Sequence, residues 1–283
     1  MKKETLFHLE NMDNITYPDH HYCTRNQHPR DTRISFEPIS HTYQIQMPGD
    51  KVETFISATT IIHKYFPEFD ADKIIEKMMK SYTWKKSPYF GKTVDEIKQQ
   101  WEDNRNSAAA KGTQVHDWIE NYYLGEFQPP CKEAEESKSF QNFLEFHKDY
   151  GWMPYRTEWR VFTEDFRVAG SIDIIFEGSE PGKIKVFDWK NSKEIKMENR
   201  YEKGFEPLQH LPNCNFYHYS LQLNLYKWIL EHHYGQQVEE MGLIIVHENN
   251  PTYLKYEVKD MQKEIQMMLE HYRSSGFPLP VKH

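Results

Sequence analysis

Between residues 156 and 188 three apolar segments of β character follow one another with little chain between them: Arg156–Phe162, Val168–Phe176 and Lys183–Asp188. Connections this short suit hairpins and not the long crossovers that parallel neighbours need, so the three read as an antiparallel meander. Segments of helical period flank it. Arg105–Leu124, ended by Gly125, and Glu133–Tyr150, with Phe140, Phe143, Leu144 and His147 on one stripe, precede it. Tyr219–Tyr234, closed by Gly235, follows it, then a buried-type strand Met241–His247, a second strand Tyr253–Val258 and a terminal helix Asp260–Tyr272. The order helix, strand, strand, strand, helix, strand asks for an α/β domain built on one central sheet.

Upstream, Arg33–Phe36 and His41–Ile45 alternate as two strands. A Pro48-Gly49-Asp50 turn leads to a third, Val52–Ile56. Helical spacing begins near Ser57 and is clear in Asp72–Met79, and Thr93-Val94-Asp95-Glu96 is a capping box that opens a helix through Trp101. Residues 1–30 are polar and are expected to be partly mobile. No linker divides the chain, so residues 1–104 are expected to form a hairpin and helical extension on a core of residues 105–283.

Composition excludes several classes. The longest apolar runs, such as Leu243–Val246, are too short to cross a bilayer, and no apolar stretch follows Met1-Lys2-Lys3 as a secretory signal would require. An intracellular protein without a membrane partner is expected. Three scattered cysteines, Cys23, Cys131 and Cys214, argue against a disulfide framework and fall short of the four that an iron–sulfur cluster normally takes. The net charge of −8 argues against a generic nucleic-acid coat, yet leaves room for an enzyme whose carboxylates are neutralised by cations.

The chemistry gathers in and beside the meander. Gly170-Ser171-Ile172-Asp173 delivers a carboxylate from an apolar strand. Fourteen residues intervene before Asp188-Trp189-Lys190, whose Asp188 and Lys190 face one side of the next strand. Two carboxylates with an ammonium beside them make a site for a hard divalent ion such as Mg²⁺, which prefers oxygen ligands. Asp-x-Lys alone is also an ordinary surface ion pair; its company gives it weight. His116 and Glu120 share one face of the preceding helix, Glu158 lies on the first strand of the meander, and Gln222 and Tyr226 share a face of the following helix.

Taken in order, Gly112-Thr113-x-x-His116, Glu158, Gly170-Ser171-Ile172-Asp173, Asp188-Trp189-Lys190 and Gln222-x-x-x-Tyr226 resemble the PD-(D/E)XK nuclease superfamily. More narrowly they are similar to its RecB-type exonuclease branch, which includes viral and phage exonucleases and a mitochondrial genome maintenance exonuclease. The resemblance implies a restriction-endonuclease-like αβββαβ core with a mixed central sheet. It implies Mg²⁺ or Mn²⁺ held by His116, Asp173, Asp188 and the Trp189 carbonyl, with Lys190 positioning or activating the water. Glu158 would assist from the outer part of the site, and Gln222 and Tyr226 would support substrate or the metal-site geometry. Ser192 would bond Asp188 or a phosphate. Ile172 stands where the superfamily's name has proline, and the four-cysteine cluster of some relatives is missing.

Local basic runs suit a polymeric substrate. Residues 80–92 mix Lys85 and Lys86 with aromatics, Arg105 and Lys111 precede His116, and Lys193, Lys196, Arg200 and Lys203 follow the Asp188-Trp189-Lys190 strand. Such mixtures track a backbone and stack unpaired bases, although lysines beside aromatics are also common in plain solvated loops. The expectation is a metal-dependent deoxyribonuclease, an exonuclease by its resemblance, on single-stranded or end-containing double-stranded DNA in repair or recombination. The extension would guide the strand, and any helicase or recombination partner is unspecified. The alternatives are a non-catalytic end-binding module on the same scaffold and a small-molecule phosphoesterase.

Overall fold

The computed structural model describes residues 21–125, 128 and 131–275. The strands are β1 (Ile34–Glu37), β2 (Thr42–Gln46), β3 (Val52–Ser57), β4 (Pro154–Thr163), β5 (Val168–Glu177), β6 (Lys183–Lys190), β7 (Gln237–Ile245) and β8 (Leu254–Glu257). The helices are α1 (Tyr22–Arg25), α2 (Ala58–His63), α3 (Ala71–Met79), α4 (Val94–Leu124), α5 (Lys132–Glu136), α6 (Lys138–Tyr150), α7 (Asn215–His233) and α8 (Gln262–Ser274). The expected order of helix, three strands, helix and strand holds from α4 to β7.

All eight strands join one mixed sheet in the order β1-β2-β3-β5-β6-β7-β8, with β4 also on β5. The meander β4-β5-β6 is antiparallel, whereas β3 meets β5 and β6 meets β7 in parallel. The parallel β6/β7 pair is possible because α7 supplies the crossover. β5 forks. One edge carries β4 along its whole length; the other holds β3 only at Val168 and Ala169, and β6 only from Ile174 onward. Gly170 to Asp173, the motif segment, therefore lies in the gap between two partner strands.

The sheet is buried on both faces. One cluster packs α2, α7 and α8 around Ile175, Val186, Leu221, Leu225, Ile229 and Ile265; the other packs α4 and α6 around Ile119, Phe140, Phe143, Phe146, Phe187 and Trp189. α7 is buried nearly all round, as expected of a crossover helix between sheet and α8. Residues 21–30, expected to be mobile, are packed instead; residues 1–20 lie outside the described residues. His21 is buried, and Arg30 reaches the Phe162 carbonyl and Glu164. Asp31 accepts from Arg156 at 2.6 Å and from the Trp159 indole at 2.8 Å. These ties strap the N-terminal segment onto β4.

Two helical boundaries differ from expectation. Glu133–Tyr150 is two helices, because Ser137 takes an extended conformation between them. Phe146, not Leu144, joins the fully buried stripe of α6. The segments read separately around Trp101 and Arg105 are one 31-residue helix, α4, opened by the expected Thr93/Glu96 capping box. The expected division at 104/105 thus falls inside a continuous helix.

Candidate active site

Strand register explains how residues distant in sequence meet. β4 pairs Thr157 with Ile174 and Trp159 with Ile172, so Glu158 stands opposite Asp173. β5 and β6 pair Ile174 with Phe187 as their last rung, so Asp173 and Asp188 face each other just past the point where the two strands part. Once the strands part, the Trp189 amide has no ladder partner on β5. It donates instead to Asp173 Oδ2 at 3.0 Å, which fixes that carboxylate.

Glu158 is held in a costly way. Its φ is +42°, in the middle of a strand, whereas the other non-glycine residues with positive φ among the described residues, His41, Asp50 and Arg167, lie in turns. Such a conformation costs on the order of 1–3 kcal/mol and marks sites where geometry is over-determined. The Ser171 hydroxyl donates to Glu158 Oε2 at 2.8 Å.

His116 comes to the same place from α4. Its Nε2 donates to the Trp189 carbonyl at 2.8 Å; a carbonyl only accepts, so this nitrogen carries the hydrogen. Nδ1 then lies 3.5 Å from Asp173 Oδ2. His116, Glu158 and Asp173 each offer a ligand atom within 4.8 Å of the others. Glu158, expected in the outer part of the site, is therefore in the inner cluster.

Lys190 Nζ lies 2.6 Å from Asp188 Oδ2 and 4.6 Å from the centre of the Tyr219 ring. Burial works against the ammonium, but Asp188 and then Asp173 outweigh it and raise the Lys190 pKa. Burial, followed by the charge of Asp173, pushes Asp188 up to about 6 against the pull of Lys190. Burial, then Asp173 and Glu120, push Glu158 well above the usual carboxylate range. Burial, then Asp117 and Asp173, lift Glu120 to about 7. Carboxylates crowded this closely repel one another, and a cation among them relieves that repulsion.

Gln222 and Tyr226 brace the fork. Gln222 Nε2 donates to Tyr226 Oη at 3.1 Å, and Tyr226 is buried. A Cβ at position 170 would stand 2.6 Å from its Cε1, so the tyrosine ring is what requires glycine in the Gly170-Ser171 motif.

Other expected residues lie elsewhere. The Ser192 hydroxyl does not bond Asp188: it donates to the Glu194 carbonyl at 3.0 Å, because the chain turns away after β6. Lys85 and Lys86 sit on the exposed turn Trp84–Lys86. Arg105 pairs with Glu102 and Lys111 with Glu248, both on the surface. The structure brings none of these five into the carboxylate cluster.

Three contributors were not anticipated. Glu120 was visible one turn beyond His116, but only the helix-to-sheet packing shows that it shares the electrostatics of Asp173 and Glu158. Tyr43, on β2, hydrogen-bonds the Ser171 backbone and is pushed up to about 12, by burial and then by Glu158. Tyr219 faces Lys190 from the first turns of α7. No sequence signal singles out the last two.

A family model described as the PD-(D/E)XK nuclease superfamily matches residues 132–275, just over half of the chain. The chain belongs to that superfamily. Its mixed sheet and flanking helices agree with the restriction-endonuclease-like fold. No curated protein matches the chain. A solved structure titled "Crystal structure of SSO0001" aligns at 13% identity with a TM-score of 0.27, over 50% of this chain and 59% of that one. The chain thus spans under two thirds of that structure's length. Among the described residues, no helix is long and apolar enough to cross a membrane.

Proposed function

We propose that this PD-(D/E)XK nuclease is a Mg²⁺- or Mn²⁺-dependent deoxyribonuclease of the RecB-type branch, acting from DNA ends in repair or recombination. One observation carries the reading. The ligand atoms of His116, Glu158 and Asp173 converge within 4.8 Å, and the Asp188–Lys190 pair adjoins them through the Trp189 backbone.

The donor set fits a hard divalent ion: carboxylate oxygens, one imidazole and a backbone carbonyl. His116 through Nδ1, Glu158 and Asp173 would hold it with Asp188 beside them, and the Trp189 carbonyl would join only by giving up the bond it accepts from His116 Nε2. When bound, the ion supplies Lewis acidity at the phosphate and eases deprotonation of the attacking water.

The chain's own groups do the rest. Asp188 keeps Lys190 protonated, so its ammonium is ready to orient the water or to meet charge developing on the phosphate oxygens. The Trp189 amide and Ser171 hydroxyl fix the Asp173 and Glu158 carboxylates before substrate arrives. Tyr226, braced by Gln222, acts by positioning, since it is buried against Gly170. Lys193, Lys196, Arg200 and Lys203, all exposed on the loop after β6, offer salt-sensitive contacts to phosphates. The 1–104 extension guides the strand toward them.

The test is incubation of the full chain with end-labelled single-stranded and duplex DNA in Mg²⁺, in Mn²⁺ and in chelator. Metal-dependent release of label from the ends is expected. Cleavage undiminished by chelator, or none with either metal, would overturn the reading.

A further inference from the structure

The β1–β2 hairpin is laid along β4, and its contacts fix the direction. Just before β1, Arg33 pairs with Glu164 at 2.9 Å, and its guanidinium lies 5.3 Å from the centre of the Phe162 ring. Three residues on, the Phe36 ring centre lies 6.0 Å from the Arg160 guanidinium. As the chain advances from 33 to 36, its partners on β4 recede from 164 to 160, toward Glu158. Tyr43, opposite Phe36 in the hairpin, reaches the Ser171 backbone. The turn at residues 38–41 therefore continues toward the carboxylate cluster. His41 stands two residues before Tyr43, about 7 Å along the strand direction.

The tip of the hairpin presents an imidazole and an aliphatic side chain to solvent, with two rings behind them. Phe36 packs on Tyr43 with ring centres 4.9 Å apart, and the His41 ring stands edge-on to Phe36 at 5.8 Å. His41 is exposed and has φ +50°, a conformation that histidine adopts more readily than most residues. Ile39 is 80% exposed. The polar groups of the turn are engaged with one another. Glu37 Oε1 accepts from the Ile39 amide at 3.0 Å, and the Ser40 and Thr42 hydroxyls are 2.9 Å apart. Between this tip and the carboxylates stands Arg160, whose charge opposes the burial that raises Glu120 and Glu158.

We infer that the hairpin tip is a base-binding shelf. The nucleotide beside the scissile phosphate rests its base on the His41 ring and Ile39, and Arg160 meets the phosphate that joins this nucleotide to the site. This rests on the nucleic-acid reading of that site. The occupant follows from chemistry. A base offers a flat π-face that stacks on an aromatic ring whatever its identity, and histidine is among the rings so used. A guanidinium is the side chain whose fork of donors matches a phosphate. Bases in a duplex have their faces covered by their neighbours, so the shelf selects an unpaired nucleotide. Residues 34–46 lie outside the stretch that matches the superfamily model, so that match does not cover the hairpin.

The test uses the full chain in chelator, with fluorescence anisotropy of a labelled oligodeoxynucleotide and of a strand of equal length whose sugars carry no bases. The wild type should bind the base-bearing strand more tightly. His41→Gly removes the ring and suits a backbone at positive φ. It should weaken binding of the base-bearing strand by roughly five- to 150-fold, the worth of one stack, and leave the abasic strand unchanged. Arg160→Gln should weaken both strands alike and reduce the slope of log K against log salt by about 0.7. Circular dichroism establishes that each variant is folded. An equal effect of His41→Gly on both strands, no effect on either, or no binding of the base-bearing strand by the wild type would overturn the shelf. Unchanged binding in Arg160→Gln would overturn the part given to Arg160. Adding Mg²⁺ or Mn²⁺ then separates the two proposals. A base-dependent loss in His41→Gly with no cleavage by the wild type would leave the shelf standing and remove the nuclease reading, whereas cleavage with equal effects on both strands would do the reverse.

Discussion

Gly170→Ala tests whether the fork in β5 is packed as described. The new Cβ would stand 2.6 Å from Cε1 and 2.7 Å from Oη of Tyr226. The ring cannot swing aside, because Tyr226 is 3% exposed and tied to Gln222. Overpacking of this kind costs about 1–3 kcal/mol. At about 2–4 °C per kcal/mol for a chain of this order, the melting temperature should fall by roughly 2–12 °C. Activity should fall further than stability, since the strand being displaced carries Ser171 and Asp173, and misplacing a reacting geometry by 1 Å can cost on the order of a hundredfold. Gly112→Ala is the control: no atom lies within 4 Å of its Cβ position, so helix propensity alone should stabilise by about 0.5–1 kcal/mol. In a Tyr226→Ala background, Gly170→Ala should cost less than in the wild type, by about 1 kcal/mol or more. Calorimetric scans of the wild type, the three single variants and the double variant decide it. An equal cost in both backgrounds, or an unchanged melting temperature for Gly170→Ala, would refute the packing argument.

Asp31→Ala should cost on the order of 3 kcal/mol in urea unfolding, because it strands the largely buried Arg156 guanidinium and the Trp159 indole together; a change under about 0.5 kcal/mol would mean the strap contributes little. Without metal, Glu120 should make the protein less stable as pH rises. Its folded pKa of about 7 lies above the ordinary 4.5, so the folded state holds the extra proton and loses stability between those values. Glu120→Gln should flatten that part of a stability–pH curve, and an unchanged slope would count against the shared acidic cluster. Mg²⁺ or Mn²⁺ should raise the melting temperature by mass action, about 2.7 kcal/mol at a hundredfold excess over Kd, and Asp173→Asn should abolish the rise. An equal rise in the variant would place the ion elsewhere.

Much of this was legible where local rules decide. The Thr93/Glu96 capping box, the Gly125 stop, the close-spaced meander and the Asp188-x-Lys190 pair depend on neighbours in sequence or on a period of two, and all appear as expected. From sequence, a break is expected in α4 only between Trp101 and Arg105, where residues 102–104 carry no apolar side chain to continue a stripe. That stripe is absent because nothing packs on it, not because the helix ends. The break at Ser137 carries no glycine or proline to announce it. At the candidate site, the inner position of Glu158 depends on a positive φ and on register with Asp173, and Tyr43 depends on β3 delivering the hairpin to the start of β5. Such facts belong to the assembled sheet, and no window of sequence contains them.

The most direct measurement is the rate of Mg²⁺-dependent cleavage of end-labelled DNA by the wild type, Lys190→Ala and Asp188→Asn, with circular dichroism to establish that each remains folded. The expected result is cleavage by the wild type, none in chelator, and loss of cleavage in both folded variants. A folded Lys190→Ala or Asp188→Asn protein that cuts at the wild-type rate would contradict the assignment of catalysis to this cluster.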